Sequence, residues 1–224
     1  MKFRNIILST IVLSSLCSCV SIPEGRYSTQ YSDGKVIIQN IGGKCELLLD
    51  GGISSDLPDF IESEINNLNT RNCSSKFLII NSHGGLLSAA QKIGKLIRSN
   101  KFDTVVRYEK QCSSACGLIF IAGINRIIWK PNFLFTKEPR IGFHTPAIKS
   151  TNNCLNITQA SKDARVRSVV TNVFKYAESM IGRDPALQFT TNMFDTDCKD
   201  MKNFSPEILM RQGIATRVGT LETN

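Results

Sequence analysis

The sequence predicts an α/β domain built on a parallel sheet with flanking helices, and three observations carry that expectation. From about Lys35 onward, short apolar runs alternate with amphipathic helical stretches. Glycine-rich turns follow the ends of those runs. One run, Lys76 to Asn81 (KFLIIN), is apolar on successive residues, as a strand covered on both faces requires. Parallel strands joined through helices call for right-handed crossovers.

Residues 1–18 stand outside the pattern. Lys2 and Arg4 precede an apolar run from Ile6 to Leu16, too short to span a bilayer and shaped like a secretion signal. It ends in Leu16-Cys17-Ser18-Cys19, which resembles the bacterial lipoprotein cleavage box, with Cys17 where a small or β-branched residue is usual. The expectation is cleavage before Cys19, lipid on Cys19, and a periplasmic protein held in a membrane by that anchor. Val20 in place of an acidic residue then points to the outer membrane. Cleavage without lipid, giving a soluble exported protein, is the plainer alternative. Residues 19–34, polar over Ser21 to Ser32, read as a lipid-anchored tether, and residues 35–224 as the domain.

Cleavage would leave 206 of the 224 residues, enough for one sizeable core. Losing Lys2 and Arg4 takes the net charge from +8 to +6, spread among acids without a block of one sign. A solvated surface accounts for it, so no nucleic-acid partner is expected. Beyond Cys17 and Cys19 remain Cys45, Cys73, Cys112, Cys116, Cys154 and Cys198. An even number in an exported chain favours disulfides, among about fifteen pairings that sequence cannot rank. Zinc is the weaker reading, because the closest cysteines are far in sequence from both histidines. No metal and no cofactor is expected.

Lys35 to Gln39 and Cys45 to Leu49 read as strands divided by Gly42-Gly43. Asp56 and Pro58 open a helix to Leu68, with Leu57, Phe60, Ile61, Ile65 and Leu68 on one face. The strand Lys76 to Asn81 turns at Ser82-His83-Gly84-Gly85 into an amphipathic helix, Leu86 to Ser99. Thr104 to Tyr108, Arg126 to Trp129 and Arg140 to His144 read as further strands. Asn152 to Asn156 is a polar loop, and a helix follows from about Thr158 to Gly182. A short segment runs from Pro185 to Phe194. Ser205-Pro206-Glu207 caps a last helix ending at Gly213, before a strand from Ile214 to Val218.

The stretch Lys110 to Gly123 (KQCSSACGLIFIAG) stands apart. Small residues let the backbone approach another group closely, and a small polar turn opening a buried helix exposes free N–H groups beside a hydroxyl. Ser113 and Ser114 are equal candidates for a nucleophile on spacing alone, and an ordinary serine cap explains the turn as well. Serine acyl transfer also needs a base and oxyanion donors. His144, at the end of an apolar strand, suits the role of base, although a structural histidine bonded to a turn carbonyl fits that place equally. His83 lies in the glycine turn, where it can cap the turn or line a cleft.

Four blocks taken together resemble the ClpP-like serine peptidases of the ClpP/crotonase fold. Asn81-Ser-His-Gly84-Gly85 resembles their N-S-P-G-G turn, and Cys112-Ser-Ser114-Ala115-Cys116 their nucleophile turn. Arg140-Ile-Gly-Phe-His144-Thr-Pro146 is similar to their R-I-M-I-H-Q-P block, and Phe204 to Ile214 to their closing segment. The resemblance spans roughly Lys76 to Val218 and is nearest to exported members with cysteines around the nucleophile. It implies a sheet of repeated β-β-α units, with Ser114 as nucleophile and His144 as general base. Oxyanion donors would be the N–H groups of Gly85 and Ala115, with Gly84 shaping the turn. The third member would be Asp200, one residue ahead of the family's position, which here is Met201; Asp197 and Asp195 are the fallbacks. His83 departs from the family's proline.

The resemblance further implies a homo-oligomer acting on peptide or protein, with Cys112 and Cys116 as disulfide partners bracing the turn. A catalytically weak or inactive binding or assembly module of the cell envelope is the alternative. Crotonase-type acyl-CoA chemistry fits export poorly, and thiol chemistry at Cys112 or Cys116 requires the two to be unpaired.

Overall fold

The computed structural model describes residues 25–70, 73–130, 137–148, 153–155 and 163–219. The expected signal, the lipid site Cys19, residues 19–24 of the tether, and the helix start at Thr158 lie outside them.

The chain enters the sheet earlier than expected. β1 (Arg26–Tyr31) pairs antiparallel with β2 (Gly34–Ile41), which pairs antiparallel with β3 (Lys44–Gly51). Residues 26–34 are therefore part of the domain, which corrects the tether boundary at residue 34. The physical reason is that β1 is an edge strand, mostly exposed, and needs no apolar face. Tyr27 donates to Glu64 Oε2 at 2.8 Å, and the Tyr31 ring packs on Phe60.

α1 (Leu57–Asn69) follows. Asp56 precedes it as read, but its carboxylate does not cap the helix. It takes the Ser32 and Ser54 hydroxyls and the Ser32 N–H, and these bonds, the Ser32 hydroxyl foremost, hold its pKa well below the usual carboxylate range. Next come β4 (Ser75–Asn81), α2 (Leu87–Ser99) and a β-β-α unit of β5 (Asp103–Arg107), β6 (Gln111–Ser113) and α3 (Cys116–Phe120). β7 (Arg126–Trp129), β8 (Arg140–Phe143) and a small hairpin of β9 (Ala147–Ile148) with β10 (Asn153–Cys154) complete the middle of the chain. The hairpin stands where a loop was expected around Cys154. α4 (Ala164–Ile181), α5 (Arg183–Phe194), β11 (Lys202–Phe204), α6 (Pro206–Arg211) and β12 (Arg217–Val218) close it. Ser205 caps α6 by accepting the Ile208 N–H, as its Ser-Pro-Glu start predicts.

The main sheet runs β1-β2-β3-β4-β5-β7-β12, parallel from β3 onward. Its central strands are buried on both faces, as KFLIIN required. Leu78 and Ile80 join the large core with α1 and α2, whereas Ile79 packs with Val105 and Ile127 on the other face. Burial of each such side chain is worth about 2 kcal/mol, so β4 is held from both faces of the sheet. A second sheet, β11-β8-β6, pairs β6 parallel and β11 antiparallel to β8. Among the described residues three disulfides form: Cys45–Cys73, Cys112–Cys116 and Cys154–Cys198.

Candidate active site

The carboxyl ends of β4, β6 and β8 meet, and the turns after them carry the residues singled out by sequence. Binding sites of open α/β sheets favour such strand ends. After β4, the chain bonds sideways to β6: Ser82 N–H donates to Gln111 O at 2.8 Å, and Ser113 N–H to Ser82 O at 3.0 Å. After β6, Ser114 N–H donates to Gly142 O of β8 at 2.8 Å. Three turns are thus locked to one another by main-chain bonds.

Ser114 lies between the last strand residue of β6 and the start of α3, with φ at +58°. A left-handed non-glycine residue costs roughly 1–3 kcal/mol and persists only where its surroundings enforce it. Here the enforcing contacts are the Gly142 bond, the Gly117 N–H donating to Ser114 O at 3.0 Å, and the Cys112–Cys116 bridge around the turn. The two serines are now distinguishable. Ser113 is buried, while Ser114 lines an open cleft of about 590 Å³.

Gly84 and Gly85 are glycine for different reasons. Gly84, at φ +103°, backs onto the serine turn, and a Cβ there would stand 2.6 Å from Ser113 O and 2.7 Å from Ser114 Cβ. Gly85 bridges to Ile53, and a Cβ there would stand 2.4 Å from Ile53 O. That bridge uses Gly84 O and the Leu86 N–H. The N–H groups of Gly85 and Ala115 donate to nothing among the described residues, as two oxyanion donors would.

His144 extends from β8 into the same cleft, whose remaining lining includes His83, Leu86, Leu87, Pro146 and Ala147. Its Nδ1 is 2.8 Å from the carbonyl oxygen of Thr145. A carbonyl only accepts, so Nδ1 carries the proton and Nε2 of the neutral ring keeps its lone pair. Ser114 and His144 share the cleft without a hydrogen bond between them. Contacts between nucleophile and base are often loose before substrate binds.

The carboxylates fare differently. Asp200 is exposed; its N–H donates to Asp197 O at 3.1 Å, and its side chain makes no hydrogen bond or ion pair among the described residues. Asp197 accepts the Lys199 N–H at 2.9 Å, and Asp195 pairs with Lys202 Nζ at 3.0 Å. None is bonded to His144. Cys154, Asp197 and Cys198 have metal-ligand spacing, but both sulfurs are spent in a disulfide. His83 is exposed, with Nε2 and the Asp33 carboxylate both within 3.0 Å of where a Cβ on Gly52 would stand. Asp33 and Thr145 went unmarked in the sequence; only the bend of the β1–β2 hairpin and the His-Thr-Pro turn hinted at them.

No family model and no curated protein matches the sequence. Solved structures do. The chain is similar to the membrane-bound stomatin-specific protease 1510-N, with a TM-score of 0.54, 14% identity and 76% of each chain covered. It is also similar to ClpP1 from Listeria monocytogenes, with a TM-score of 0.55 and 18% identity over 77% of this chain and 89% of that one. The fold is thus the mixed α/β architecture of ClpP-like proteases, with a mostly parallel sheet and flanking helices.

Proposed function

We propose that the protein is an exported serine hydrolase that cleaves peptide bonds through an acyl-enzyme on Ser114. His144 Nε2 takes the Ser114 proton as Oγ bonds to the scissile carbonyl carbon, and the N–H groups of Gly85 and Ala115 hold the oxyanion. The carbonyl re-forms as the C–N bond breaks, and the leaving amine takes the proton from His144. Water, activated by the same imidazole, then hydrolyses the ester. What carries this reading is the left-handed Ser114 in a cleft that also contains Gly85 and His144, with the N–H groups of Gly85 and Ala115 left without an acceptor among the described residues. Likeness to two proteases of the same fold supports it.

Reaction with a fluorophosphonate tests the chemistry. Wild type becomes labelled, and His144→Ala slows labelling by about 10³-fold or more with an unchanged circular dichroism spectrum. Equal rates would remove His144 from the mechanism. A binding or assembly module of the cell envelope is the second reading, favoured by the missing Ser114–His144 bond.

Export is part of the proposal. Three disulfides suit an oxidising compartment, and the Leu16-Cys17-Ser18-Cys19 box supports a periplasmic lipoprotein on the outer membrane. Bacteria expressing the full chain and fed labelled palmitate are expected to label it, and Cys19→Ala to abolish the label; label retained in Cys19→Ala would refute the anchor.

A further inference from the structure

We infer that His144 is oriented by the main-chain carbonyl of Thr145 and works without a carboxylate, because the strand register gives the third position to Met201. This rests on Ser114 and His144 being the reacting pair.

The register carries it. β11 lies antiparallel to β8, with Asn203 opposite Gly142 and Lys202 opposite Phe143. One further step puts Met201 opposite His144. Directly opposed residues of an antiparallel pair share a face, so residue 201, just ahead of β11, is the one that this register, carried one step on, brings to the side of His144. The Met201 side chain follows this rule: its Sδ is 2.8 Å and its Cγ 2.9 Å from where a Cβ on Gly142 would stand. Asp200 is one residue out of phase, exposed and without a side-chain partner among the described residues. Asp195 and Asp197 are engaged by Lys202 and by the Lys199 N–H. A one-residue shift that a loop could absorb is not absorbed here, because the pairing of β11 fixes the phase.

A carbonyl can still do part of a carboxylate's work. It accepts from Nδ1–H, which fixes the ring and leaves Nε2 as the base. Where a triad carboxylate is exchanged for an amide, the amide can stabilise the wrong tautomer, and kcat falls about 10⁴-fold. A main-chain carbonyl has no donor and cannot make that error. It brings no full negative charge to the imidazolium, so the pair is slower than a complete triad. Thr145 is itself held, its N–H donating to Thr196 O at 2.9 Å and its hydroxyl to Phe194 O at 3.2 Å.

The test combines a spectroscopic and a kinetic readout on the full-length mature protein. With ¹⁵N-labelled histidine and His83→Gln as background, one imidazole remains, and it is expected as the Nδ1–H tautomer at neutral pH. Asp195→Asn, Asp197→Asn and Asp200→Asn are each expected to keep that tautomer, with fluorophosphonate labelling within about twofold of the parent. Met201→Asp is expected to speed labelling about tenfold, by supplying the missing charge. An Nε2–H tautomer, or a fall of tenfold or more in any one asparagine variant, would overturn the inference. If the parent does not label at all, the hydrolase reading fails, while the tautomer still decides how His144 is held.

Discussion

Gly84→Ala is expected to slow acyl transfer by about 10²-fold and to lower stability by about 3 kcal/mol or more. Two effects add. At φ +103° an alanine is strained wherever it sits, and its Cβ would meet Ser113 O at 2.6 Å and Ser114 Cβ at 2.7 Å. Neither neighbour is a flexible side-chain end. Ser113 O belongs to β6, and Ser114 is pinned by its bond to Gly142. The strain therefore passes to the serine turn, where a displacement of about 1 Å costs about 10²-fold in rate. Gly42→Ala is the control: at φ +56° its added Cβ meets nothing within 4 Å, so only the conformational cost, about 1–2 kcal/mol, applies. Thermal unfolding together with fluorophosphonate labelling separates the two variants. Gly84→Ala labelling at the wild-type rate would show that the turn does not support Ser114.

The disulfides are expected to divide their effects between stability and rate. By loop-closure entropy, the bridge over four residues, Cys112–Cys116, is worth only about 2 kcal/mol. The bridge over 28 residues, Cys45–Cys73, is worth about 3.6 kcal/mol. Their places in the fold reverse the order for catalysis. Cys45 pairs with Lys76 at the start of the parallel strands, and the cleft lies at their other end, beyond Asn81. Cys112 and Cys116, both fully buried, bracket Ser114 itself. Replacing Cys112 and Cys116 together by alanine is expected to slow labelling about 10²-fold for the smaller loss of stability. The Cys45–Cys73 double variant is expected to lose more stability and label within twofold of wild type. The opposite ranking of rates would make the short bridge a stability device only.

Much of this fold is legible in the chain because it depends on local pattern. KFLIIN, the 3.6-residue stripe of Leu57 to Leu68 and the Ser-Pro-Glu start of α6 each state their own structure. β1 was not legible: an exposed edge strand needs no apolar alternation, and its Ser, Thr, Gln and Tyr look like a tether. At the site, the glycine turn, the two serines and His144 were visible as residue types, and the left-handed turn and the cleft separate Ser114 from Ser113. The third partner of His144 was not visible. Sequence distance put Asp200 near enough, but the phase of a strand is set by its neighbour, and the β8–β11 pairing, with Lys202 opposite Phe143, makes residue 201 and not residue 200 the next in phase with His144. Disulfide pairing is likewise a property of the fold, since Cys154 and Cys198 are 44 residues apart.

The most direct measurement is the mass of the adduct and its position. The mature protein is reacted with a fluorophosphonate, its intact mass is measured, and the modified peptide is sequenced. One adduct per chain is expected, on Ser114, with none in Ser114→Ala and full retention in Ser113→Ala. An adduct elsewhere, or equal labelling of wild type and Ser114→Ala, would contradict the assignment of Ser114 as the nucleophile.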